Sequence, residues 1–162
     1  MAVIDVTTDT DARTITIIAE FAAPVERVWE LYADPRQLEQ VFGPPGYPAT
    51  FVEHELRPGS TSRYYMTGPE GNRFGGLWEI REVEGPRGFS FDDRFADAQT
   101  WEAADGLPVS RSTYGFEATE AGTRATYVSV YDSAEGLQQV LDMGVEEGAT
   151  ESINQIDGFL AA

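Results

Sequence analysis

From residue 49 to residue 131 the sequence alternates with a period of two, and little but turn chemistry separates one segment from the next. Ala49–Leu56, Ser60–Thr67, Arg73–Val83, Gly88–Phe95, Val109–Ala118 and Arg124–Tyr131 read as six strands. The breaks are Pro58-Gly59, GPEGN (68–72), GPRG (85–88) and EAG (120–122). Consecutive strands on short turns imply an antiparallel meander, since parallel pairing needs long crossovers. One connection is longer, the acidic DAQTWEAADG (97–106) with its lone Trp101.

The flanks have other periods. Arg13–Phe21 (RTITIIAEF) is β-branched, with Ile15, Ile17, Ala19 and Phe21 on one face, and reads as a strand. Pro24 suits a first helical position, and Val25, Val28, Trp29 and Tyr32 then recur at helical spacing. Asp34-Pro35 ends that helix and starts a short second one, with Asp34 as its cap. The GPPGYP loop (43–48) follows. A long helix from about Ser133 to Leu160 closes the chain, with Asp132 as its expected cap. Residues 1–12 are polar and acidic and read as a flexible arm ahead of a single domain, 13–162. The expected class is α+β, in the order β-α-α-β-β-β-β-β-β-α. About seven strands form one curved sheet wrapped around the closing helix.

Charge narrows the partners. The 28 acids outnumber the 11 bases, all arginine, for a net charge of −17. Such a surface repels phosphate backbones and anionic lipid, so neither nucleic acid nor a membrane is an expected partner. No apolar run approaches the roughly 18 residues of a transmembrane helix, and the first residues lack the basic start of a secretory signal. The expected location is the cytoplasm. There is no cysteine, which excludes disulfides and thiolate metal sites. With one histidine, a zinc site is not expected either; a carboxylate-only calcium site stays open although no EF-hand loop is present, and no metal or cofactor is assigned.

Of the 19 aromatic residues, all but Phe21, Trp29, Tyr32 and Phe159 lie between Phe42 and Tyr131. Strand parity puts Tyr64, Met66, Phe74, Trp78, Phe89, Phe91, Tyr114 and Tyr127 on one face, which the closing helix must cover. That helix carries Gly144 and Gly148 one turn apart. The pair allows either close helix–sheet packing or missing volume that opens a cavity. Aromatic walls with a few polar tips are what line small-molecule pockets. The candidate ligand-binding residues are Phe42, Tyr64, Met66, Phe74, Trp78, Phe91, Tyr127, Val145 and Gly148, with Trp101 as a lid.

Other polar residues have plainer readings. His54, beside Glu53 and Glu55, is expected on the surface. Arg63 and Arg111 are expected to pair with acids on the outer face. Asp93 shares the parity of Phe91 and Phe95. Inside an apolar cavity it would serve as an acid or base, but a strand twist that leaves it wet is the expectation. The seven acids after Arg124 read as a solvated helix face or as a docking surface for a basic partner.

Four stretches in order resemble the START-like superfamily, also called SRPBCC, and within it the branch similar to the activator of the heat-shock protein 90 ATPase. They are APVERVWELYADPRQLEQVFGP (23–44), LRPGSTSRYYMTGPEGNRFGG (56–76), EAGTRATYVSVY (120–131) and LDMGVEEGATESINQIDGFLA (141–161). The resemblance implies the helix-grip fold and a cavity. Where many relatives have paired tryptophans this chain has Val41-Phe42, and where many have a tryptophan in the closing helix it has Gly148. Both changes remove bulk. The expected function is binding of a small hydrophobic or aromatic molecule without catalysis, and no catalytic residue is assigned. Alternatives are a polyketide cyclase- or aromatase-type enzyme with Asp93 and tyrosines as acid–base groups, and a co-chaperone-like interaction module. A homodimer is left open, and a chaperone partner is the least favoured.

Overall fold

A computed structural model describes residues 2–161. Met1 and Ala162, which the expected arm and domain include, lie outside the described residues. Eight strands form one antiparallel sheet: β1 (Val3–Asp9), β2 (Thr14–Phe21), β3 (Ala49–Glu53), β4 (Thr61–Thr67), β5 (Arg73–Glu84), β6 (Gly88–Ala96), β7 (Val109–Thr119) and β8 (Gly122–Tyr131). Their order is β1-β2-β8-β7-β6-β5-β4-β3, so the meander runs unbroken from β3 to β8 and β2 joins its far side. Helices α1 (Val25–Ala33) and α2 (Pro35–Leu38) follow β2, and α3 (Ala134–Asp142), α4 (Val145–Asn154) and α5 (Ile156–Ala161) close the chain. The class and helix-grip architecture are as expected. Among the described residues no helix is long and apolar enough to cross a membrane.

Two expectations need correction. The segment read as a flexible arm is the edge strand β1, paired to β2 from Val3↔Ala19 to Asp9↔Thr14. An edge strand needs only one bonded side and little burial, so its acids and threonines did not betray it. It is also tied to α4. The Ala2 and Val3 amides donate to Asn154 Oδ1 at 3.0 and 2.9 Å, and Thr8 Oγ1 donates to Glu146 at 2.6 Å.

The closing helix is three helices rather than one. Gly144 sits between α3 and α4 at φ +79°, a left-handed conformation that glycine adopts without a Cβ clash. Ser133, not Asp132, caps α3, its Oγ accepting from the Gly136 amide at 2.9 Å. Asp34 caps α2 as expected, accepting from the Arg36 amide at 2.9 Å.

The sheet's two margins are irregular. β1 bulges between Val3 and Asp5, and β3 between Phe51 and Glu53. On β3, Glu39 accepts from the Phe51 amide at 2.6 Å, and Arg36 donates to the Phe51 carbonyl at 2.7 Å. Side chains of α2 and the residue after it thus occupy backbone groups that an edge strand leaves unpaired.

The core packs α1 and α3 onto the sheet. Val28, Leu31 and Tyr32 are buried in the core, and the Tyr32 ring packs on Phe89 and stacks on Phe116 at 5.3 Å. Trp78 and Phe91 stack at 4.2 Å and are both fully buried.

Candidate functional site: a cavity with one carboxylate

Between the sheet and the helices α2, α3, α4 and α5 lies a cavity of about 360 Å³. This falls within the range that holds a small organic molecule. The sheet supplies Tyr64 and Met66 from β4, Phe74 from β5, Tyr114 from β7 and Tyr127 from β8. Opposite stand Val140 of α3 and Val145, Gly148 and Ala149 of α4. Leu38, Val41 and Phe42 close one side.

Two glycines give the cavity its shape. A Cβ built on Gly148 would meet nothing nearer than Pro44 Cγ at 3.9 Å. The missing side chain therefore leaves space, and it is not required for close helix–sheet packing. Gly76 is the reverse case. A Cβ there would stand 2.3 Å from the Tyr64 ring, its neighbour across the β4–β5 ladder. Only glycine lets that ring lie across β5.

Seven of the ten candidates line the cavity: Phe42, Tyr64, Met66, Phe74, Tyr127, Val145 and Gly148. Phe74, 50% exposed, stands at its rim beside Tyr47. Trp78 and Phe91 are on the predicted face but do not line the cavity. Phe42 packs edge-on against Trp78 at 5.2 Å and covers it. Trp101 does not line the cavity either. It takes a left-handed conformation, φ +63°, in a loop that folds back through Ala104 N–H to the Phe95 carbonyl at 2.9 Å.

The polar wall was largely missed. Cross-strand register aligns Asp93 with Ser110 and Ser110 with Tyr131, and Ser112 with Ser129 in the next row. Ser112 and Ser129 hydroxyls are 3.0 Å apart. Tyr32 and Tyr127 hydroxyls meet at 2.7 Å behind them. Burial raises the pKa of Tyr32, Tyr64, Tyr114, Tyr127 and Tyr131, so all five keep their hydroxyl protons at neutral pH. The available signal was parity, since these serines and tyrosines alternate in step with Tyr127.

Asp93 is the main correction, because it faces the cavity and not bulk water. Asp93 is half-buried among the residues that line the cavity. Desolvation pushes its pKa up to about 7, against a small lowering from Tyr64, whose hydroxyl donates at 3.5 Å.

Its neighbour Asp92 points to the opposite face and behaves in the opposite way. Arg81 donates to it at 2.8 Å and Arg111 at 2.9 Å, and hydrogen bonds from Arg81 lead the fall of its pKa to about 2. Such a depressed carboxyl adds stability above its unfolded pKa of 3.8, and the gain is lost as pH falls toward 2. The arginines are half exposed, so Asp92→Asn costs only about 1–2 kcal/mol at pH 7. Denaturant titrations should show that difference shrinking to nothing near pH 2. An equal loss at both pH values would mean packing, not charge, is at work.

Arg63 pairs with Glu53 and Arg111 with Asp92, on the outer face as expected. His54 is not a free surface residue. It is half-buried, with Nδ1 2.7 Å from Ser62 Oγ and Nε2 2.6 Å from the Tyr32 carbonyl, and burial lowers its pKa. Among the described residues no cluster of histidine and acids is placed to hold a metal ion.

Residues 22–161 match the family described as Activator of Hsp90 ATPase homolog 1-like protein. A crystal structure of a protein from Mycobacterium smegmatis is 58% identical, covers 98% of this chain and 96% of its own, and superposes with a TM-score of 0.90. A solution structure of a protein from Arthrobacter aurescens is 44% identical over 98% of this chain and 91% of its own, with a TM-score of 0.93. A Rhodobacter sphaeroides protein, 22% identical over 97% of each chain with a TM-score of 0.84, shares the fold. No curated protein matches the chain.

Proposed function

Because the chain belongs to the Activator of Hsp90 ATPase homolog 1-like family, within the START-like architecture, we propose that it binds a small hydrophobic or aromatic molecule in the cavity, without catalysis. The observation that carries this reading is the open volume at Gly148, facing a wall of tyrosine and phenylalanine rings. Burying apolar ligand surface there supplies roughly 25 cal/mol per Å² before the costs of association. The tyrosine and serine hydroxyls orient the guest.

The test is to refill the space. Gly148→Leu puts a branched side chain into the cavity while removing a glycine from the interior of α4, which favours the helix by roughly 1 kcal/mol. The variant should keep or raise the thermal midpoint. It should lose at least about tenfold in affinity for the neutral dye N-phenyl-1-naphthylamine, read by fluorescence titration. Unchanged dye affinity would place binding elsewhere.

Acid–base catalysis in the same cavity is the second reading, favoured by a carboxyl with a pKa of about 7 lying 3.5 Å from the Tyr64 hydroxyl. It requires turnover that follows the titration of Asp93.

A further inference from the structure

Among the described residues that line the cavity, only Asp93 and Arg94 have a formally charged side chain. Arg94 is engaged elsewhere, its Nε donating to Glu79 at 2.6 Å. Among the described residues, the group that hydrogen-bonds the Asp93 carboxyl is a neutral hydroxyl, Tyr64, at the long distance of 3.5 Å. Around it stand further neutral hydroxyls, those of Ser112, Ser129 and Tyr131. Every one of them can donate or accept, so none dictates the charge of a guest. The carboxylate does. A buried charge needs a partner, and the one cationic side chain among the described lining residues, Arg94, is already held by Glu79. The net charge of −17 acts in the same direction, concentrating cations near the mouth and repelling anions.

We infer that the cavity selects a lipophilic amine, its rings against the aromatic wall and its ammonium group on Asp93, and rejects carboxylates of the same shape. This rests on the cavity-binding reading above and names its ligand class. The ammonium replaces the weak contact from Tyr64 with a charge-assisted hydrogen bond, about twice as strong as a neutral one. The ionised form of Asp93, which burial disfavours in the empty cavity, becomes the favoured one when the amine is seated. A fatty or aromatic acid meets the opposite situation, with two carboxylates sharing one desolvated space.

Three probes with one ring system separate the outcomes: 1-naphthylmethylamine, 1-naphthalenemethanol and 1-naphthoate, titrated calorimetrically at pH 8. The amine should bind at least about tenfold tighter than the alcohol, and the alcohol at least about tenfold tighter than the carboxylate. Asp93→Asn should bring the amine to within about threefold of the alcohol. The inference is overturned if the alcohol matches the amine, if the carboxylate matches the alcohol, or if the variant keeps the amine's advantage. In those cases dye binding blocked by Gly148→Leu would leave the cavity reading intact. If none of the three probes binds and the dye does not bind either, both fall together.

Discussion

Trp78→Ala will destabilise the protein by about 3–5 kcal/mol, the usual cost of removing a large ring from a well-packed core. For a domain of this size that lowers the thermal midpoint by about 10 °C. The indole is fully buried and stacked on Phe91, with Phe42, Phe51 and Tyr64 edge-on around it at 5.2 to 5.9 Å. Among the described residues its Nε1 meets only the Tyr64 hydroxyl, in no well-formed hydrogen bond, so Trp78→Phe loses little besides some volume and should cost less. A calorimetric scan of both variants decides the matter. If alanine costs under about 1 kcal/mol, the ring is not core and stands on the cavity surface after all.

Asp93→Asn will stabilise the protein at pH 8 and leave it unchanged at pH 4. The carboxyl titrates at 3.8 when exposed and at about 7 when folded. Below the first value both states are protonated, and no difference arises. Between the two values the unfolded chain ionises and the folded one does not, which drains stability as pH rises. Above about 7 the loss is complete. A rise of roughly three units sets a ceiling of about 4 kcal/mol, and water in the cavity brings the expected value nearer 2. Asparagine carries no charge to desolvate, so its midpoint at pH 8 should rise by about 4–8 °C. The same gain at both pH values would trace to packing. A carboxyl carbon titration by NMR would check the folded value directly.

The parts of this structure legible in the sequence are those governed by periodicity. Six strands, their turns and the face each aromatic occupies follow from alternation, because a strand side chain can point only one of two ways. Depth is another matter. Trp78 and Phe91 have the right parity, yet Phe42 from the helical entry covers Trp78, and no strand pattern reports what another element lays on top. Asp93 shows the converse. Its parity pointed inward, and a general preference for wet carboxylates argued outward; parity won, because Asp92 next to it was already held on the outer face by two arginines. Gly144 and Gly148 looked alike as a pair and do different things. One needs a left-handed backbone and divides the helix, and the other leaves a hole in the wall. The strand β1 was missed because polar edge segments and coil have similar composition.

An open sheet of eight strands has two margins where a foreign strand could dock and extend the ladder into a fibre. Here each margin is spoiled in its own manner. On one side the Phe51 amide and carbonyl are already taken by Glu39 and Arg36, and on the other a kink at Val3 to Asp5 interrupts the line. The proposed binding of an apolar guest implies that the cavity's interior is exposed whenever the guest leaves. Blunted borders allow this at high concentration without copies of the protein stitching together, strand to strand.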